Sequence, residues 1–107
     1  MSGTDAEIRQ IKRRRATILK MVRQGHESQF QRLDDFGVWA AMQDLGMQMG
    51  RNAVITMLQD LCTLEYLRYR QGFSDENNRV TLSEIELTPR GLTVTIRRQS
   101  NDDLLFD

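Results

Sequence analysis

The sequence predicts an α+β fold that is mainly α, in which a three-helix core is followed by a two-stranded β-ribbon and a closing helix. Three observations predict it. Apolar residues recur at helical spacing up to about Tyr66, the period then drops to two from Leu67, and Thr88-Pro89 reads as an N-cap with proline in the first helical position. A chain of 107 residues with 39% hydrophobic and 28% charged residues suits one small globular domain. We expect that domain over 1–99, with 1–14 as a candidate basic extension and 100–107 as a flexible acidic tail.

The first helix is expected to open at a capping box, Thr4 with Glu7, and to stop at Gly25. Ile8, Ile11, Ile18, Leu19 and Val22 share a face, and Arg15 interrupts it. A buried stripe does not accept an unpartnered guanidinium. Either the packed part begins near Ala16, or the first two turns dock on another subunit. From His26 to Leu33 the chain is polar around an isolated Phe30, consistent with a loop or one short strand.

Asp34 or Asp35 can cap a second helix carrying Val38, Ala41, Met42 and Leu45, with Gly46 as its left-handed stop. Trp39 reads as filler against the first helix. The connection from Gly46 to Gly50 is short, so the next helix must cross steeply, as a helix-turn-helix. In that third helix, residues 50–64, Val54, Met57, Leu58 and Leu61 form one stripe, and Asn52, Thr56, Gln59 and Thr63 line the opposite face. The outward face is polar yet uncharged. Asn and Gln amides match the two edge atoms that adenine presents in a DNA major groove, although a solvated polar face is the general case for amphipathic helices.

Leu67 and Tyr69 alternate with Arg68 and Arg70, residues 72–78 form a polar tip, and Val80 and Leu82 resume the alternation. Apolar parity then slips at Ser83-Glu84, where a one-residue bulge would restore it. Residues 89–98 read as a helix through Leu92 and Ile96, or, because Thr93 to Ile96 are all β-branched, as a second hairpin turning at Pro89-Arg90-Gly91. Leu104, Leu105 and Phe106 give the acidic tail an apolar end able to anchor on a partner.

Formal net charge is zero, but its distribution is uneven. Residues 1–32 hold eight basic and three acidic residues, 68–98 hold six and four, 33–67 hold one and five, and 99–107 hold none and three. Positive charge therefore flanks the helix pair, which is itself net negative, and Lys12-Arg13-Arg14-Arg15 is a solvated face or a phosphate contact. One Cys and one His at unrelated positions offer no nucleophile pair and no metal-ligand spacing, so neither enzyme activity nor a cofactor or metal is expected. The lone Cys62, the absence of a signal-peptide core and the lack of a bilayer-length apolar run suit a cytoplasmic protein.

Helix, helix, turn, helix and ribbon is the element order of the winged helix-turn-helix domain. GRNAVITMLQDLCTLEYLRYR resembles its third helix running into the first wing strand, and RVTLSEIELTPRGLTV resembles the second wing strand and closing helix. RRRATILKMV, the spacing to DDFGVWAAMQDLG and the Leu-Thr-Pro-Arg-Gly wing exit are together similar to the small winged-helix proteins of Mu-like phages and prophages. The resemblance, over about residues 13–98, implies binding of double-stranded DNA; the expected role is a phage or prophage transcriptional regulator, acting as a homodimer because one recognition helix reads too few bases to be selective. The resemblance also implies that Arg51, Asn52, Ile55, Thr56 and Gln59 face bases or adjacent phosphates, and that Arg70 and Arg79 on the wing meet phosphate. The chain departs from the family in having Gly50 where a capping Ser or Thr is usual, and in carrying one basic residue on the third helix. The competing reading is a winged-helix module that binds other phage or host proteins and no DNA.

Overall fold

The computed structural model describes residues 2–28, 33–76 and 78–106, and for side chains residues 5–25, 33–76 and 78–106. The element order is α1 (Ser2–Ser28), α2 (Asp35–Asp44), α3 (Arg51–Thr63), β1 (Leu67–Ser74), β2 (Arg79–Leu87) and α4 (Pro89–Arg97). The fold is therefore α+β with one antiparallel ribbon, and 89–97 is helix. Thr88 decides that point locally: its hydroxyl accepts from Gly91 N at 3.1 Å, which caps the helix that proline opens.

α1 is longer than expected at both ends. It begins before Thr4 and continues through Gly25, which is a packing glycine and not a stop: a Cβ there would lie 2.7 Å from Leu33 Cδ1. At 27 residues α1 is about 40 Å long, matching the 42 Å long axis of the molecule. Its packed part begins at Ala16, and Ile18, Leu19 and Val22 enter the core, so the turns before Arg15 project with Ile8 and Ile11 uncovered. Phe30 and its neighbours 29–32 lie outside the described residues. Leu33 makes a single bridge, its carbonyl accepting from Ile85 N at 3.1 Å.

Asp34 is the N-cap of α2, accepting from Gly37 N at 2.7 Å. The helix ends in a Schellman turn, with Gly46 at φ +79° and Met47 N donating to Met42 O at 3.0 Å. Val38 and Met42 are buried, whereas Leu45 is exposed. The polar end of Trp39 is committed to the turn toward α3: its Nε1 donates to Met49 O at 2.8 Å, and Gln43 Nε2 donates to the same oxygen at 2.9 Å. With Met49 buried, these bonds set the exit from the turn and hence the direction of α3.

α3 buries Val54, Met57, Leu58 and Leu61 as its spacing requires. β1 and β2 pair from Leu67↔Leu87 to Ser74↔Arg79. The register slips between Arg68↔Glu86 and Arg70↔Ser83, where Glu84 adopts φ +51°, so the extra residue falls at the expected bulge.

The tail is not frayed, contrary to the sequence reading. Leu104 is fully buried and Phe106 nearly so, both within the core of the same chain. Asn101 Oδ1 accepts from Asp103 N at 2.8 Å and Leu104 N at 2.9 Å, Leu105 N reaches Lys12 O at 3.2 Å, and Arg15 Nη1 donates to Asp103 O at 3.3 Å. That last bond also answers how the apolar face of α1 accommodates Arg15. Among the described residues no helix is long and apolar enough to cross a membrane.

Candidate nucleic-acid interface

The outward ridge of α3 and the distal half of the wing enclose an open groove of about 620 Å³, lined by Asn52, Ile55, Thr56, Gln59, Asn78, Arg79 and Val80. Four of these are on α3, Asn78 is in the hairpin turn and Arg79 and Val80 open β2, so a linear pattern and a hairpin tip converge on one cleft. Asn52 and Thr56 are exposed and Gln59 is half-buried. Thr63 bonds back to Gln59 O at 3.0 Å, which occupies its hydroxyl within the helix.

Ile55 is 8% exposed and forms part of the groove floor. A contact between its methyls and a base would require an edge to enter the groove fully. Arg70 is 77% exposed, with Glu84 Oε2 3.9 Å away, and does not line the groove. Across the ribbon from it, Ser83 Oγ donates to Arg70 O at 3.4 Å.

Arg51 and Arg79 are held by a residue whose role the sequence reading missed. Asp35, only 4% exposed, follows the capping Asp34 and turns inward between α3 and the wing. Its Oδ1 accepts from Leu82 N at 3.0 Å. Its Oδ2 receives Arg51 Nη2 at 3.2 Å and faces Arg79 Nη2 at 3.9 Å. Arg51 also lies over the Phe36 ring at 5.0 Å, and Phe36 leans on Trp39 with ring centroids 5.7 Å apart. One buried carboxylate thus fastens the N-terminus of α2, the first residue of α3 and strand β2. The tandem Asp34-Asp35 was the available signal, since one helix needs only one cap.

This hub is not fully satisfied. Arg51 Nε, Arg79 Nε and Arg79 Nη2 are buried without a hydrogen-bond partner. Orphaned guanidinium donors are costly unless some acceptor reaches them. Arg79 is 24% exposed and lines the groove, so its exposed part offers positive charge to an anion seated there while its Nε and Nη2 stay buried on the Asp35 side. Asp35 therefore takes one acidic charge off the outer surface and orients two basic side chains with it, although it also neutralises part of their charge. Among the described residues no group of three or more His, Cys, Asp or Glu is placed to hold a metal ion.

No protein-family model and no curated protein sequence matches the chain. Among solved structures the fold is similar to that of Bacillus subtilis PadR in complex with operator DNA, with a TM-score of 0.57 and 13% identity, over 87% of this chain. The match covers 52% of the PadR chain, so this chain corresponds to about half of that protein. At that identity the likeness speaks to architecture alone: the chain has a winged helix-turn-helix fold.

Proposed function

We propose that the chain is a DNA-binding protein of the regulator type, with α3 entering the major groove and the wing lying along the backbone. The carrying observation is the groove itself: an uncharged ridge of Asn52, Thr56 and Gln59 stands beside the partly exposed Arg79. Amides and hydroxyls supply base-edge readout, and the guanidinium supplies a phosphate contact. The operator bound by the PadR chain of similar fold supports the same reading. The sequence resemblance to phage and prophage winged-helix proteins supports a regulator from such an element, working in the cytoplasm. A dimer is the reading that suits selectivity, because one recognition helix contacts too few base pairs.

The runner-up is a protein-interaction module. Zero net charge and the partial neutralisation of Arg51 and Arg79 by Asp35 favour it, since phosphate contacts carry much of DNA affinity. Selection of duplexes from a random pool at two salt concentrations separates the two. A recovered consensus whose affinity falls as salt rises supports DNA binding; no enrichment and no affinity in dilute buffer leaves the interaction module. On the recovered site, Asn52→Ala and Gln59→Ala are each expected to lose roughly 1–3 kcal/mol while non-specific binding changes little.

A further inference from the structure

The apolar face of α1 runs on beyond the body it packs against. Ile8, Ile11, Arg15, Ile18 and Val22 recur at alternating steps of three and four, a heptad seam. Ile18 and Val22 are completely buried, while Ile8 is 46% exposed and Ile11 42%. Arg15 marks the boundary, held by Asp103 O at 3.3 Å and facing Asp60 Oδ2 at 4.0 Å. Two turns of seam thus stand out, partly exposed, with none of the described residues closing over them.

The charges beside the seam say what covers it. With Ile8 and Ile11 at the seam positions, Asp5 and Lys12 share one flank and Glu7 and Arg14 share the other. An antiparallel pair of identical helices sets Ile8 of one against the partner's Ile11. The same register brings Asp5 to the partner's Lys12 and Glu7 to the partner's Arg14, so each flank closes with opposite charges. Antiparallel pairing also leaves the two bodies at opposite ends of the seam. A second exposed apolar pair on one helix, Leu92 and Ile96 on α4, has no such complement: α4 and its cap carry Arg90, Arg97 and Arg98 and no acid, so two copies docked there would repel.

We propose that residues 5–14 of α1 form an antiparallel self-pairing seam with a second copy of this chain, closed by Ile8 against Ile11 and by the Asp5–Lys12 and Glu7–Arg14 pairs. The seam does not depend on the DNA reading and is measured without DNA. It is also distinct from the simple preference for acids at a helix N-terminus, which would explain Asp5 and Glu7 but assign nothing to Lys12 and Arg14.

Sedimentation equilibrium of the full chain tests it, with circular dichroism confirming that each variant stays folded. The wild type is expected at near twice the 12.5 kDa monomer mass at tens of micromolar. Ile8→Asp should shift it to monomer with little change in Tm, because Ile8 lies outside the body. The double reversal Asp5→Lys/Glu7→Lys, and separately Lys12→Glu/Arg14→Glu, should each raise the dimer Kd at least tenfold. The quadruple variant should return to dimer, as should an equimolar mixture of the two doubles. A monomeric wild type, a dimer indifferent to Ile8→Asp, a dimer lost only in Leu92→Asp/Ile96→Asp, or a quadruple variant weaker than either double would each overturn the seam.

Discussion

Two buried polar hubs join the segments of this molecule, and they differ in how completely they are satisfied. Asp35 ties α2, α3 and β2 together and leaves three buried guanidinium nitrogens without hydrogen-bond partners. Tyr66 ties the end of α3, the start of α4 and the tail together and leaves none of its own capacity unused. Its hydroxyl donates to Asp103 Oδ2 at 3.1 Å and accepts from Asn101 Nδ2 at 3.2 Å and Arg90 Nη2 at 3.3 Å, while the Arg90 guanidinium lies 4.7 Å over its ring. Its carbonyl receives Thr88 N at 3.1 Å. A saturated hub closes a core; a hub whose carboxylate is shared by two partly exposed arginines beside an open groove holds positive charge at that surface at some cost in stability.

The largest loss of stability is expected at the Tyr66 hub. A Cβ on Gly91 would lie 1.9 Å from the Tyr66 carbonyl oxygen, a backbone atom that cannot step aside. Gly91→Ala should cost about 3 kcal/mol or more in urea denaturation, by forcing α4 off the end of α3. An unchanged midpoint would mean that this close approach is not present in solution. Next comes the other hub. Asp35→Ala strands Leu82 N and both arginines, and should cost about 3 kcal/mol, the low end for a broken buried pair because both guanidinia keep some water.

Tyr66→Phe separates the hubs further. It removes only the hydroxyl, leaves Asp103 and Asn101 without that partner, and should cost roughly 1–2 kcal/mol while DNA affinity stays within twofold. The reverse pattern is expected of Arg79→Ala: little change in stability, weaker binding to all duplexes alike, and a salt slope shallower by about one. A steeper loss for one sequence would instead make Arg79 a base reader. The smallest effect belongs to the exposed Arg68–Glu86 pair at 2.6 Å, where Arg68→Ala should change stability by at most about 1 kcal/mol.

What was legible in the chain was what adjacent residues decide. Asp34, Gly46 and Thr88-Pro89 mark helix ends through bonds made within four or five residues, and the apolar alternation located the bulge at Glu84. The seam of α3 followed from spacing alone. What escaped depends on residues distant in sequence. Gly25 looked like a stop because its reason, contact with Leu33, lies across a turn. The acidic tail looked loose because its anchors are Lys12, Arg15 and Tyr66. The winged-helix resemblance places Arg51 and Arg79 toward bases or phosphate but carries no sign that both also pair with a carboxylate, 16 residues from Arg51 and further still from Arg79. Asn78 and Val80 entered the groove only through the folding of the wing.

In the proposed function the α3 ridge and wing tip form the face that meets duplex DNA. Backbone amide chemical shifts, followed while a short duplex carrying the selected site is added, test that most directly. Saturable shifts are expected to concentrate at Asn52, Thr56, Gln59 and 78–80, with α4 and the tail around Tyr66 unmoved. Shifts confined to α4 and the tail, or none at all in dilute buffer, would contradict it.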